Sequence, residues 1–159
     1  NREFFQSRSL PSIELEKRTL EHMEFHEQGQ FVLSYLSQND FVQCGAVKAD
    51  AEPLIDILRS IRGVKVALIL RENEPGSVRG SLRAKDDSTD VSKVARAFEG
   101  GGHKAAAGFT FYGSLDEARS EVLAVVERSC FADNSESLCA QATSVSSVRV
   151  LSGEGEPCE

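Results

Sequence analysis

Residues 99–108 read EGGGHKAAAG and are the most distinctive stretch of the chain. Three consecutive glycines, Gly100 to Gly102, can turn successive backbone N–H groups toward an anion, because no Cβ blocks the left-handed conformations that such a nest needs. His103 adds one or two hydrogen-bond donors, and Lys104 adds a positive charge. The stretch therefore predicts a binding site for a phosphate group.

The three alanines that follow Lys104 predict one short turn of helix, Ala105 to Ala107, which Gly108 stops. The glycines would then lie at a helix N-terminus, where the helix dipole favours an anion. A structural alternative stays open, because Gly100 falls where a preceding helix would end and glycine is common at that place. In that alternative the glycine run is a hinge without a ligand.

A strand with two arginines precedes the glycines. Pro75-Gly76 predicts a tight turn, and the strand Ser77 to Arg83 follows it. Side chains alternate along a strand, so Arg79, Ser81 and Arg83 share one face. Arginine matches phosphate in a bidentate way, and we expect this strip to hold the anionic backbone of a ligand whose terminal phosphate reaches the glycines. The alternative is an exposed strand face with solvated arginines, and this alternative is strongest for Arg79.

The wider pattern alternates helices with strands, and no internal repeat is visible. Helices are predicted from Ser12 to about His26, from Asp50 to Gly63, from Val91 to Phe98 and after the capping box that starts at Ser114; strands are predicted at Gln30–Leu36, Val64–Leu70, Ser77–Arg83 and Phe109–Tyr112. This order predicts a single α/β domain with a mixed sheet flanked by helices.

The first predicted helix carries Ile13, Leu20 and Met23 on one side, which is its expected buried face. His22 and His26 lie four residues apart on the same helix, a spacing that can hold a metal. No HExxH motif accompanies them, so a solvated pair is the preferred interpretation and no metal ligand is predicted in this chain.

Composition restricts the class of ligand. The 159 residues carry a net charge of −7, which argues against a non-specific binder of long nucleic acid. Residues 77–104 carry a local charge of +2, whereas the residues after Cys130 carry −4. The chain shows no run apolar enough to span a membrane, and its four cysteines form no zinc motif or disulfide pattern. We therefore expect a cytoplasmic protein with reduced thiols.

A family resemblance follows from these motifs. Gly100-Gly101-Gly102-His103 followed by Ala106-Ala107-Gly108 resembles the GGGH...AAG signature of the DHHA1 domain, the C-terminal domain of the DHH phosphoesterases. Ser81-Leu82-Arg83, Asp90-Val91 and Ala95 resemble the run that leads into the glycines in bacterial nano-RNase and pAp-phosphatase proteins. The resemblance covers roughly residues 13–129 and is strongest from 64 to 112.

The resemblance implies a two-domain enzyme of which this chain is one part. Residues 1–12 would be a linker from an N-terminal DHH domain, 13–129 the DHHA1 domain, and 130–159 an acidic, flexible tail. The DHH domain of such enzymes holds Mn²⁺ or Mg²⁺ with Asp and His residues, and this sequence contains no Asp-His-His. The chain would thus carry no catalytic residue and no cofactor. It would bind the substrate, a short oligoribonucleotide or 3′-phosphoadenosine 5′-phosphate.

The implied substrate contacts are the residues singled out above. They are Arg83 with Ser81 in support, Arg79, the glycines Gly100, Gly101 and Gly102, and the cationic or polar pair His103 and Lys104. Two further functions stay open: the C-terminal domain of a cyclic-dinucleotide phosphodiesterase, and a non-catalytic RNA-binding module of the kind found at the end of alanyl-tRNA synthetases.

Overall fold

The computed structural model describes residues 7–132 and shows a six-stranded sheet with helices on both faces. The elements are α1 (Leu10–Glu21), β1 (Glu24–His26), β2 (Phe31–Leu36), α2 (Gln38–Cys44), α3 (Leu54–Ser60), β3 (Val66–Glu74), β4 (Ser77–Ala84), α4 (Ser92–Ala97), β5 (Gly101–His103), β6 (Ala106–Tyr112) and α5 (Leu115–Cys130). Phe131, directly after α5, is buried. The sequence predicts a flexible tail over residues 130–159. Residues 133–159 of that tail lie outside the described range.

The sheet is mixed, as the sequence predicts. Its strand order is β1-β2-β3-β4-β6-β5. Strands β2 and β3 pair in parallel, which requires the crossover through α2 and α3, and the other neighbouring pairs are antiparallel. The turn at Pro75-Gly76 joins β3 to β4 as a hairpin, with Gly76 at φ +77°. The predicted fold class is therefore confirmed.

The central strands are buried on both faces. One core joins β2, β3, β4 and β6 to α4 and α5, and it contains the fully buried rings of Phe31 and Phe109. The other core joins β2 and β3 to α1 and α3 through residues such as Leu15, Ile69 and Leu58. Burial on both sides explains why the predicted strand Val64–Leu70 is apolar almost without interruption.

Helix α1 is shorter than predicted. It begins at Leu10 rather than Ser12 and ends at Glu21, so that His26 lies in β1. His22 follows the last helical residue as the C-cap. The two histidines therefore do not share a helix face, and their four-residue spacing forms no pair.

The face of α1 that packs on the sheet also differs from the prediction. Ile13 and Leu20, expected to be buried, are exposed. The helix packs instead through Leu15 and Thr19. The Thr19 Oγ1 donates a hydrogen bond to the Leu15 carbonyl oxygen at 3.0 Å, so its hydroxyl is satisfied without water. A small polar residue can thus occupy a position at which the sequence pattern favours an apolar one.

Strand β6 replaces the helical turn predicted at Ala105 to Ala107. Its residues pair with β4 on one edge and with β5 on the other. The helix preference of alanine is worth less than about 1 kcal/mol per residue, and hydrogen bonds along two strand edges outweigh it. The prediction of a helical turn with the glycines at its N-terminus is therefore wrong.

Three short elements, β1, α2 and β5, have no counterpart in the prediction, whereas the capping box of α5 is confirmed. The Ser114 N–H donates to the Glu117 carboxylate at 2.8 Å, and the Ser114 Oγ accepts from the Glu117 N–H at 3.2 Å. The backbone hydrogen bond from Ser114, with the side-chain bond in support, lowers the pKa of Glu117. This reciprocal cap fixes the start of α5.

Two of the four cysteines lie in the described range, and both are free thiols. Burial at the end of α5 raises the pKa of Cys130 to about 11, so that this thiol is not a nucleophile near neutral pH. Within residues 7–132, no helix is both long and apolar enough to cross a membrane.

Gly80 makes room for the ring of Phe109 between β4 and α4. The two residues lie opposite each other in the β4–β6 pair. A Cβ on Gly80 would lie 2.1 Å from the Phe109 Cζ. The ring also stacks on Phe98, with 4.9 Å between the ring centroids. Glycine at position 80 therefore allows a fully buried aromatic ring to lie across the strand.

We predict that Gly80→Ala lowers the free energy of unfolding by about 2 kcal/mol, because the ring of Phe109 must leave its position. Gly101→Ala is the matched control, since a Cβ there meets no atom within 4 Å. It should change the free energy of unfolding by less than about 0.5 kcal/mol. Urea denaturation of both variants checks this, and equal losses would contradict the contact.

Candidate functional site

One face of β4, β6 and β5 carries most of the polar residues that the sequence analysis selected. Residues directly opposite each other on paired strands share a face, and Arg83 lies opposite Ala106, which in turn lies opposite His103. We call this surface the open face. Its residues are Arg79, Ser81, Arg83, Gly101, His103, Ala106, Gly108 and Thr110.

The open face continues the surface that α1 and α3 cover on β2 and β3. There the helices bury Val32, Ala67 and Ile69. On β4, β6 and β5 the same face carries side chains that are half-buried or exposed. Ala106 and Gly108 add little bulk in the middle of it, so the surface is a shallow shelf beside the helices.

Arg83 and His103 lie in one row at the end of the open face. Two strand spacings separate their backbones, roughly 10 Å. Arg83 is half-buried, and its Nη1 donates to the Leu82 carbonyl oxygen at 3.0 Å, which uses one of its five donors. His103 and Lys104 are exposed at the tip of the β5–β6 hairpin. The row therefore offers several donors and positive charge to an anion.

The glycine run forms the edge strand β5 and the residue before it. A Cβ on Gly100 would lie 2.3 Å from the Gly108 carbonyl oxygen, and one on Gly102, at φ +143°, would lie 2.5 Å from the Ala106 carbonyl oxygen. These two glycines permit close strand packing, whereas Gly101 is open to solvent. The predicted nest at a helix N-terminus is thus replaced by a strand edge, whose outward N–H groups are unpaired within the sheet.

Arg71 is a site residue that the sequence reasoning missed. It lies next to Arg79 across β3 and β4 and is 7% exposed. Its Nη1 pairs with Glu52 at 3.0 Å, and its Nη2 lies 3.4 Å from the Ser81 Oγ. Its buried Nε has no partner among the described residues. The sequence contains a signal for this residue. Arg71 continues the alternation that places Ala67 and Ile69 on the buried face of the strand, but its side chain is charged.

Arg79 lies at the other end of the open face, beside a cavity of about 430 Å³. Its guanidinium covers Gly108, since a Cβ there would lie 2.8 Å from the Arg79 Nη2. The cavity also borders Gly100 and Gly101. The structure therefore brings Arg79 together with the glycine run, and it places Arg83 and His103 in the separate row described above.

Glu99 borders the same cavity in a left-handed backbone conformation, at φ +57°. It follows the C-cap of α4, where its N–H donates to the Arg96 carbonyl oxygen at 3.1 Å and the Gly100 N–H donates to the Ala95 carbonyl oxygen at 2.8 Å. This pair of bonds is a Schellman motif, in which glycine usually takes the left-handed position. Gly100, which the sequence predicts to end the helix, therefore does so together with Glu99. The left-handed position is occupied by Glu99.

Comparison with known proteins places this geometry in a family. The family model of the DHHA1 domain matches residues 28–130. The chain belongs to the DHHA1 domain family. The match includes the open face, the glycine run and the helices α4 and α5, so the resemblance carried by the GGGH motif is confirmed at the level of this family.

Solved structures resemble this DHHA1 domain to different degrees. An exopolyphosphatase-related protein from Bacteroides fragilis is 26% identical with a TM-score of 0.71; the match covers 78% of this chain and 36% of that one. The chain therefore spans about a third of that protein. PggH, a pGpG-specific phosphodiesterase from Vibrio cholerae, is 13% identical with a TM-score of 0.49, over 74% of this chain and 38% of PggH. The C-Ala domain of Aquifex aeolicus alanyl-tRNA synthetase is 17% identical with a TM-score of 0.46, and the match covers 65% of this chain and 96% of the C-Ala domain.

The described part of this DHHA1 domain brings no three His, Cys, Asp or Glu side chains into a group that could hold a metal ion. His22 uses its Nδ1 at 2.9 Å from the Tyr35 carbonyl oxygen, and the His26 Nε2 lies 3.6 Å from a Glu24 carboxylate oxygen. Among residues 7–132, the candidate site consists of hydrogen-bond donors, cations and Glu99, whose carboxylate forms no ion pair there.

We predict that Glu99→Gly raises the free energy of unfolding of this DHHA1 domain by about 0.5–1 kcal/mol, because glycine relieves the left-handed strain. The matched control is Glu121→Gly on the exposed side of α5, where the same replacement should lower it by about 1 kcal/mol. Thermal or urea unfolding measures both. A loss of stability in both variants would contradict the assigned strain.

Proposed function

We propose that this DHHA1 domain is the substrate-binding part of a longer phosphoesterase. Its ligand is a short oligoribonucleotide or 3′-phosphoadenosine 5′-phosphate, and a DHH domain elsewhere in that protein holds Mn²⁺ or Mg²⁺. The name of the Bacteroides relative, exopolyphosphatase-related, supports a substrate that carries phosphate groups. In this proposal the present chain positions the substrate and performs no chemical step.

The observation that carries the proposal is the concentration of cations on the open face. Arg83 and His103 share a row, Arg79 lies on the same strand as Arg83, and Arg71 is buried beside Ser81. In the described range, no carboxylate lies within ion-pair distance of Arg79 or Arg83. Guanidinium groups that lack a carboxylate partner are available for bidentate contact with phosphate.

The spacing along β4 suggests how the ligand lies. Arg79 and Arg83 are four residues apart, so their backbones are separated by roughly 13 Å. A short oligonucleotide laid along the strand would set one phosphate against Arg83 and His103. Its other end would reach Arg79 and the cavity beside Gly101. The small side chain of Ala106 leaves room for the ligand between these two ends.

The net charge of −7 distinguishes this proposal from binding to long RNA. A general RNA-binding module needs a broad basic surface, because its affinity comes from many phosphate contacts. The positive residues here form one local patch that suits a ligand with few phosphates. Tight binding of the chain to tRNA, with weak binding to short ligands, would favour the non-catalytic alternative.

The test is an NMR titration of the nitrogen-15-labelled chain with a 5′-phosphorylated diadenylate and then with 3′-phosphoadenosine 5′-phosphate. We expect the largest shifts at the backbone amides of Gly101 to His103 and of Arg79 to Arg83, because these groups border the open face. Amides of α5, on the opposite side of the sheet, should not shift. Shifts confined to α5, or none at millimolar ligand, would contradict the proposal.

Two substitutions sharpen this test. Arg83→Gln and His103→Ala should each weaken binding about 10-fold or more, because each removes a charge-assisted or direct hydrogen bond to phosphate. Arg128→Gln on the exposed side of α5 is the matched control and should leave the dissociation constant unchanged. Unaltered affinity in both site variants would remove the Arg83 row from the proposed contacts.

A further inference from the structure

The cavity at the Arg79 end of the open face contains two opposite charges that do not neutralise each other. Arg79 and Glu99 both border its volume of about 430 Å³. Neither forms an ion pair within 4.0 Å with any residue in the range 7–132. A basic and an acidic residue that border one space and form no ion pair can both bind a ligand that presents acceptors to one and donors to the other.

Glu99 borders the cavity in an unfavourable backbone conformation. Glu99 occupies the left-handed position of the Schellman motif, which is unfavourable for a residue with a Cβ. Glycine would end α4 at lower cost. The strain therefore falls on a residue that borders the same cavity as Arg79, and strained residues beside a cavity point to a role in binding.

The floor and rim of the cavity suit a flat ligand. Gly101 has no atom within 4 Å of the place where a Cβ would stand, so its backbone is uncovered. Arg79 lies against Gly108 with its guanidinium, which limits its freedom. Tyr112, 82% exposed, borders the rim and offers an aromatic ring to a stacked base. Phe98 contributes a second aromatic ring to the cavity wall.

We propose that Arg79 and Glu99 form a pocket that recognises guanine, an inference that rests on the proposed nucleotide-binding function. Arginine pairs in a bidentate way with guanine O6 and N7, which are both acceptors. The N1–H and N2–H₂ groups on the adjacent edge of guanine are donors, and a carboxylate accepts from both. Adenine presents N1 as an acceptor at the corresponding edge, which repels a carboxylate. Guanine thus meets both free charges with complementary groups.

The guanine pocket and the row formed by Arg83 and His103 can bind one ligand together. Arg79 and Arg83 face the same side of β4, roughly 13 Å apart along the strand. A short oligonucleotide whose phosphate contacts Arg83 can therefore place a base in the cavity. In this arrangement Arg83 and His103 bind the phosphate of an oligonucleotide of any sequence, and the cavity selects the base.

The experiment compares the affinities of the chain for 5′-pGpG and 5′-pApA by isothermal titration calorimetry. We expect the unaltered chain to bind pGpG about fivefold or more tightly, the discrimination that one good bidentate base contact supplies. Glu99→Gln should reduce the preference to less than about twofold, because an amide presents one acceptor instead of two. Glu121→Gln, an exposed carboxylate change on α5, is the control and should keep the preference.

Glu99→Gly separates recognition from folding. It removes the carboxylate and relieves the backbone strain, so it should lose the preference for guanine while the protein remains folded. A dinucleotide of inosine, which lacks the N2 amine, should bind the unaltered chain more weakly than pGpG.

Each outcome distinguishes the two proposals. Equal binding of pGpG and pApA, as a contact to ribose alone would produce, overturns guanine recognition and leaves the nucleotide-binding function standing. A preference for guanine that survives Glu99→Gln removes Glu99 from the pocket. Binding of neither dinucleotide overturns guanine recognition, and it overturns the nucleotide-binding function as well if 3′-phosphoadenosine 5′-phosphate also fails to bind.

Discussion

The pairing of β6 with β4 on one edge and β5 on the other is the interaction on which the candidate site depends. It sets Arg83 and His103 in the same row, although they lie twenty positions apart in the chain. It also brings Gly108 next to Gly101 and under Arg79. Without this double pairing, the glycine run would be a loop after α4. Arg79 and Arg83 would then lie on β4 with no strand beyond it to complete the candidate site.

The second constraint is the unequal covering of the sheet. Helices α4 and α5 pack on one face, where side chains of β2, β3, β4 and β6 form a continuous core. On the other face, α1 and α3 pack on β2 and β3, and the remaining strands present the open face. Arg71 lies at this border and is buried, and its contact with Ser81 links the covered half to the open half. The candidate binding surface thus lies where the helices end, beside the buried core.

The residues of the glycine run have different physical roles. Gly100 and Gly102 allow backbones to approach closely, whereas Gly101 leaves a bare backbone surface at the sheet edge. Glu99, which precedes them, carries the strain that glycine would have avoided. In this DHHA1 domain the run therefore allows an edge strand to pack closely, and the charged groups around it are the candidate ligand contacts.

Several parts of the fold and site could be predicted from the sequence alone. The alternation of Arg79, Ser81 and Arg83, the hairpin at Pro75-Gly76 and the capping box of α5 depend on neighbours close in the chain, and each was predicted correctly. The order of helices and strands was sufficient for the α/β class and the mixed sheet. The family followed from a motif of fixed spacing.

Only the tertiary structure decided the rest, because contacts between distant residues outweigh local preferences. Ala106 and Ala107 are in a strand because two neighbouring strands supply hydrogen bonds, against a helix preference below about 1 kcal/mol per residue. Helix α1 buries Thr19 because its hydroxyl finds an internal acceptor. Register across three strands placed His103 in the row of Arg83, and the end of α4 placed Glu99 at the cavity of Arg79. The sequence determined which chemical groups are present, and strand pairing determined which of them meet.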